Sequence, residues 1–397
     1  MTADNQIRNQ IANVPRWRSQ IEDFDSANKT GVGVKCKVRD STRLMYVNVV
    51  AKFAKHMEKP LEAIAEQDVK NYVSRITNKY TQRGTCAVIK KFLKFVGRED
   101  LSAKVSVPNI TIDERLDDID RVYAEDVRKL LTAEDNARNQ ALIALMYESA
   151  GRLGEILALK IRDVQTDEYG VIVKLFGKTK LRNVRLVAAA PYVQRWLQLH
   201  NFKNTPKTPL FYSIYHGNLK ALGKTMTAKI IWKAAEKAGF KGEDLKRFHP
   251  HAFRHGRLSE LGHDLTDSEM KHVGGWTDRR MISLYSKVDE DRVNNKLLML
   301  QGLTIQEEQK VSALQVKACP KCKHLNASTD LYCSVCGVPL TKEGEKALRE
   351  REARIERLEK EVADTHRFLG LDQPRTPEVV EILENLKAAY KRAYPSE

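Results

Sequence analysis

Five stretches of this chain hold side chains whose types suit phosphoryl chemistry: Arg152 in ESAGRLGEIL, Lys178 in FGKTK, His251 and Arg254 in HPHAFRH, Trp276 in GGWTD, and Tyr285 in ISLYSKV. Each alone is weak, since one tyrosine among 13 is far more often packing than a nucleophile. Taken in order they make a coherent set. Cutting a phosphodiester means stabilising a crowded, doubly charged phosphorane, and the devices for that are divalent metals or fixed cations with N–H donors. Outside the cysteines the sequence offers no convincing acidic metal cluster, whereas two arginines can each grip phosphate oxygens in a bidentate fork. A phenol of pKa about 10 is a poor nucleophile at neutral pH, and two nearby guanidinium groups favour its ionised form. An imidazole at position 251 can accept the phenolic proton, and an amine at 178 can protonate a departing sugar 5′-oxygen. Transfer to a tyrosine keeps the phosphoester energy in a covalent link, so the strand can be rejoined to a different 5′-hydroxyl without ATP.

The order Arg, Lys, His-x-x-Arg, Trp, Tyr resembles the tyrosine recombinase (phage integrase) family, and the resemblance covers roughly Asp40 to Leu303. It implies a site-specific DNA recombinase or integrase that cuts and rejoins strands through a 3′-phosphotyrosine, without ATP or a catalytic metal. By that likeness Arg152, Lys178, His251, Arg254 and Trp276 are catalytic, Tyr285 is the nucleophile, and Glu155 is the acidic residue following the first arginine. Trp276 stands where many members carry histidine, so a ring N–H donor survives but not a proton-transfer role. The resemblance also implies double-stranded DNA as partner, a homotetramer in the synaptic complex, and an accessory DNA-bending or directionality protein. The segment DEDRVNNKLLMLQGL is similar to archaeal integrases, which gives an expectation of an archaeal or viral source. Two other readings use the same residues: a type IB topoisomerase-like relaxing enzyme, and a non-catalytic architectural DNA-binding protein. The first would not need a four-strand assembly. The intact set Arg152, Lys178, His251, Arg254 and Tyr285 argues against the second.

The fold expected from this likeness is mainly α with a small β-hairpin or sheet (α+β), arranged as a two-domain C-shaped DNA clamp with an added zinc ribbon and C-terminal helices. Residues 1–107 form the helical DNA-binding domain, 108–121 a linker, 122–303 the catalytic domain, 317–340 the ribbon and 342–397 a helical tail. In the first domain, apolar residues recur at helical spacing over Ser41–Met57 and Thr85–Val96. Around Pro108 the composition turns acidic and aperiodic, as a bridge between two units would. In the second, residues 171–177 (VIVKLFG) and 183–187 (NVRLV) are β-rich and flank the basic turn KTKLR, which reads as a hairpin among helices. That hairpin carries Lys178.

Four of the six cysteines, Cys319, Cys322, Cys333 and Cys336, form two C-x-x-C pairs, and Cys36 and Cys86 are scattered. Two such turns converge four thiolates on a tetrahedral ion, which points to one structural zinc in a reducing compartment. A redox pair would want a βαβ context that is absent here. Lys317, Lys321 and Lys323 make the ribbon basic, and DNA and protein both remain open as its target. Further on, Leu348, Ile355, Val362 and Leu369 recur at heptad spacing, while the companion positions Arg351, Leu358 and Thr365 offer one apolar residue, so any zipper is weak. A last amphipathic helix is expected over Glu378–Tyr394.

The composition bounds the rest. The 397 residues suffice for two to three domains, and 68 Lys+Arg against 52 Asp+Glu give a net charge of +16, which favours a polyanionic partner. The longest apolar run found, Ala141 to Tyr147, is far too short to cross a bilayer. The opening MTADNQIRNQ lacks the apolar stretch of a secretory signal, so a cytoplasmic, nucleoid-associated protein is expected.

Overall fold

The computed structural model describes residues 2–111, 120–177, 181–285, 290–302, 312–368 and 381. The chain divides into two compact units, Met1–Asp118 and Ile119–Glu397. No helix among the described residues is long and apolar enough to cross a membrane.

The first unit is helical: α1 (Ala3–Ala12), α2 (Arg18–Thr30), α3 (Asp40–Met57), α4 (Glu66–Ser74), α5 (Lys79–Phe95) and α6 (Glu99–Lys104). Its core is aromatic. Trp17 packs edge-on against Phe53 at 5.5 Å and stacks on Phe92 at 5.9 Å, and its Nε1 donates to the Lys59 carbonyl at 2.9 Å. Such rings bury large areas, and here the indole N–H also finds a partner. Helix α5 starts earlier than its apolar periodicity suggests, because Asn78 caps it: its Oδ1 accepts from the Thr81 N–H at 2.9 Å.

The second unit contains α7 (Ala124–Ala133), α8 (Ala137–Glu148), α9 (Leu153–Leu157), α10 (Ala190–Leu199), α11 (Lys224–Lys237), α12 (Glu243–Lys246), α13 (Pro250–Leu261), α14 (Asp267–Gly274) and α15 (Glu290–Leu300). Helix α8, which holds the continuous apolar run, is buried along Ala141–Tyr147 at the middle of the core. The expected hairpin is part of a three-stranded antiparallel sheet, β1 (Val164–Asp167), β2 (Gly170–Phe176) and β3 (Leu181–Leu186). Gly170 makes the β1–β2 turn possible, since it sits at φ 131° and a Cβ there would lie 2.4 Å from the Leu186 carbonyl oxygen. Residues 178–180, Lys178 among them, lie outside the described residues.

A second hairpin, β4 (Tyr212–Tyr215) with β5 (Asn218–Ala221), turns through His216 and Gly217, both at positive φ. The sequence reading passed over it, although YHGN is the kind of two-residue turn that supplies this geometry. At the start of the unit the chain crosses α13, where the Val122 N–H donates to the Ala252 carbonyl at 3.1 Å. Gly256 permits that crossing, because a Cβ there would meet the Val122 oxygen at 1.9 Å.

The cysteine segment is not a separate body. Its short strands β6 (Lys317–Ala318) and β7 (Leu325–Asn326) belong to the second unit, Leu314 and Ala327 join that unit's core, and helix α10 holds the segment laterally. Arg195 pairs with Asp330 at 3.0 Å, and the hydroxyls of Tyr192 and Thr329 lie 2.8 Å apart. After it, α16 (Lys342–Phe368) runs as one helix of 27 residues, with Ile355, Leu358 and Val362 exposed. Leu369 and all but residue 381 of the helix expected over 378–394 lie outside the described residues, as does most of the expected linker, 112–119.

Candidate active site

Arg152 caps helix α9, and Glu155 in the first turn binds it twice. The carboxylate accepts from the Arg152 backbone N–H at 3.1 Å and from its Nη1 at 3.0 Å. Glu155 is itself buried, and its other partner comes from the sheet: Arg182 Nη2 donates to it at 2.7 Å. Alternation along β3 turns Arg182, Val184 and Leu186 inward together, so the strand delivers a cation into the core. Burial alone would raise the Glu155 pKa. The hydrogen bonds from Arg182 and Arg152 overcome that and hold it below the usual carboxylate value. Arg182 therefore fixes the carboxylate that fixes Arg152. Its Nε and Nη1 have no partner among the described residues, and Nη1 lies where a Cβ on Gly275 would be, 2.6 Å away.

Arg254 projects from α13 into the same region and is buried. Its Nη1 donates to the Ala150 carbonyl at 2.5 Å and its Nη2 to the Gly274 carbonyl at 2.6 Å, with the guanidinium 5.4 Å from the Trp276 ring centre. These contacts tie three segments together: the turn before Arg152, the end of α14, and α13. Ala150 sits at φ 46°, a strained conformation for a residue with a Cβ, and its carbonyl serves as one of the Arg254 acceptors. Burial, then repulsion from Arg152, pushes the Arg254 pKa down to about 10, so it stays charged at neutral pH.

Tyr285 follows a 3-10 turn, Arg279–Leu284, and is buried beside Trp276. The two rings stack at 5.3 Å with 16° between their planes. Gly274 makes room for the indole, and Gly262 for the Tyr285 backbone, whose oxygen a Cβ at 262 would approach to 2.6 Å. The guanidinium charges of Arg254, Arg121 and Arg152 do favour the phenolate, as expected, but desolvation outweighs them and the Tyr285 pKa lies above the ordinary phenol value. The hydroxyl therefore stays protonated at neutral pH.

The imidazole beside it is not that of the histidine that the spacing singles out. His255, one helical turn after His251 on α13, has its Nδ1 2.7 Å from Tyr285 Oη. His251 is exposed, its ring 6.1 Å from that of His255, and its pKa is lowered by partial desolvation and by the Arg254 charge. Sequence reasoning missed both Arg182 and His255. Inward alternation on β3 could have revealed the first, and the i, i+4 placement of the two histidines the second.

The structure thus brings Arg152, Arg254, His251, Trp276 and Tyr285 together. Residues 120–292 match the phage integrase family. These residues, less than half of the chain, are similar to that family. Among curated relatives, the tyrosine recombinase XerD of Staphylococcus epidermidis is 27% identical over 221 residues, covering 52% of this chain and 71% of that protein. The XerD of Bifidobacterium longum is 25% identical over 262 residues, covering 58% and 80%. Both sources are bacterial, so these relatives lend no support to an archaeal or viral source. Among solved structures, the XerH site-specific recombinase bound to difH substrate matches with TM-score 0.51 and 20% identity, over 71% of this chain and 84% of that one. A lambda integrase tetramer bound to a Holliday junction matches with TM-score 0.52 and 12% identity, over 69% and 77%. At these identities the two structures establish the fold, mainly helical with small antiparallel sheets.

Proposed function

We propose that the chain is a site-specific DNA recombinase that cuts and rejoins strands through Tyr285. The observation that carries the reading is the convergence of Arg152, Arg254, His251 and Trp276 around a buried tyrosine hydroxyl with an imidazole nitrogen 2.7 Å away. In this mechanism the two guanidinium groups hold the non-bridging oxygens of the scissile phosphate and offset the charge that grows on them. Tyr285 Oη attacks phosphorus, the bond to the sugar 5′-oxygen breaks, and Lys178 protonates that oxygen. The product is a 3′-phosphotyrosine and a free 5′-hydroxyl. His251, exposed beside the arginines, donates to a phosphate oxygen, and the Trp276 indole supports the Arg254 guanidinium. Charge compensation comes from side chains, so neither ATP nor a divalent cation is required for cleavage.

The relatives named above are recombinases by name, and two of the structural neighbours were solved on DNA, one of them as a tetramer on a Holliday junction. Together with the charge of +16 this supports double-stranded DNA as the partner and a homotetramer as the synaptic assembly. The cysteine segment is a zinc ribbon in this reading. A tetrahedral zinc–thiolate centre sets its sulfurs about 3.8 Å apart. Here Cys319 and Cys336 Sγ lie 3.5 Å apart, Cys322 and Cys333 3.6 Å, and all four within 4.8 Å of one another.

The test is trapping on a suicide substrate nicked beside the cleavage site. The native chain is expected to give an SDS-resistant, protease-sensitive adduct, and Tyr285→Phe to bind the same DNA with no adduct. A covalent complex formed by the phenylalanine variant would refute the assignment.

A further inference from the structure

We propose that His255 is a catalytic residue of this site, its Nδ1 taking the proton from Tyr285 Oη as the phenol attacks the phosphodiester. The inference rests on the reading of Tyr285 as nucleophile and adds the group that activates it. Three geometric facts carry it. The Nδ1 to Oη distance of 2.7 Å is that of a hydrogen bond to the reacting atom itself. The imidazole lies nearly parallel to the phenol, with ring centres 5.7 Å apart and 20° between their planes, while Trp276 stacks on the same phenol at 16°. The two aromatic contacts confine the hydroxyl to the neighbourhood of Nδ1. The third fact is that Tyr285 is buried, which removes bulk water as the acceptor.

The electrostatics agree with the geometry. The groups that bear on His255 are His251 and Arg254 on its own helix, His249 just before it, Arg121 from the chain entering the unit, and Tyr285. Burial first, then His251 and Arg254, push its pKa down to about 4, so at neutral pH the ring is unprotonated and free to accept. In the step itself the Oη–H bond breaks as an N–H bond forms at Nδ1, the Oη–P bond forms and the P–O5′ bond breaks. The 5′-oxygen takes a separate proton from Lys178. On resealing, the incoming 5′-hydroxyl attacks, the tyrosine oxygen leaves, and Nδ1 returns its proton. The imidazolium formed meanwhile sits among cations, which favours its prompt return to neutrality. His251 is left free for the phosphate.

The experiment uses the full chain and a half-site duplex bearing either a normal 5′-oxygen or a bridging 5′-sulfur at the scissile phosphate. His255→Asn keeps an oxygen acceptor near the position of Nδ1 but cannot take the proton. It is expected to bind DNA normally and to cleave about 10²-fold more slowly, the low end of what a general base contributes. Its rate should climb with pH between 6 and 9, where the native rate changes little. The sulfur substrate, whose leaving group needs no proton, should rescue Lys178→Ala and leave His255→Asn slow. In His255→Ala, added imidazole should restore cleavage in proportion to its free base. A His255→Asn rate within threefold of native with the native pH profile would overturn the proposal, and so would failure of imidazole to rescue His255→Ala. An adduct that persists in Tyr285→Phe would instead overturn the reading beneath it.

Discussion

A guanidinium with almost no solvent contact is tolerated only when its charge is met, and Arg182 meets Glu155 at 2.7 Å with side-chain exposures of 1% and 6%. A double substitution by apolar residues could well be mild, but removing one partner strands the other. Arg182→Met should therefore cost about 3 kcal/mol or more, the low end for breaking a buried pair, and cleavage should fall as well, because the Glu155 carboxylate that binds Arg152 loses its anchor on β3. The pH dependence has a definite sign. In the native chain Glu155 has a lowered pKa, so its contribution to stability is complete above the usual carboxylate range and is lost as pH falls through the folded value. In the variant burial acts with less opposition. The stability gap between the two proteins is thus widest at pH 7 and narrows towards pH 3, which urea unfolding at several pH values would read. Equal unfolding midpoints at pH 7 would show that the pair contributes nothing. Arg182 was open to sequence reading in principle, yet an arginine two residues before Val184 looks like any exposed strand residue until its neighbour across the fold is known.

At the scale of elements, legibility followed the strength of the local signal. Helix α3 and the hairpin with its basic turn stand out because apolar periodicity and turn chemistry coincide there. Lys178, at the turn of that hairpin in the sequence, lies outside the described residues. The imidazole that touches Tyr285 was missed for a different reason: His251 and His255 share one face of α13, and only the packing of Tyr285 against that face distinguishes them. Spacing also made the cysteine segment look self-contained, while Tyr192 and Arg195 on α10 bind Thr329 and Asp330. That docking bears on how the proposed zinc ribbon would behave when its metal is taken. Protein purified without chelator should hold one zinc per chain by elemental analysis. Stripping it should lower the melting temperature by several degrees, because folding energy at four-thiolate sites is largely metal-binding energy. Cleavage of a short, pre-bound duplex should survive, since Arg152 and Arg254 need no cation. A zinc content near zero would remove the ribbon, and magnesium-dependent recovery of cleavage would remove the metal-free mechanism.

For the whole molecule the open question is what the last described helix does. Helix α16 has 27 residues, and Ile355, Leu358, Val362 and Phe368 remain exposed along it, 44% to 89%. Helices gain most of their stability by packing an apolar face, so a long one left bare is suited to a partner. Leu348, Ile355 and Val362 keep heptad spacing, and in a parallel pair Arg354 of one copy would face Glu359 of the other across the flank of the seam. Arg351 and Thr365, at the alternate core positions, weaken any such seam. A weak contact suits the recombination proposed above, in which four protomers would gather on two duplexes and then separate. The chain alone should be largely monomeric, and target DNA should promote dimers and then tetramers. Deleting residues 342–397 should leave single-site cleavage at Tyr285 within about twofold of native, because none of the residues converging on that hydroxyl lies in the tail. Paired-site complexes should drop by tenfold or more, equivalent to about 1.4 kcal/mol, on native gels or by light scattering. If the truncated chain pairs sites as well as the full one, the exposed stripe of α16 serves some contact other than assembly.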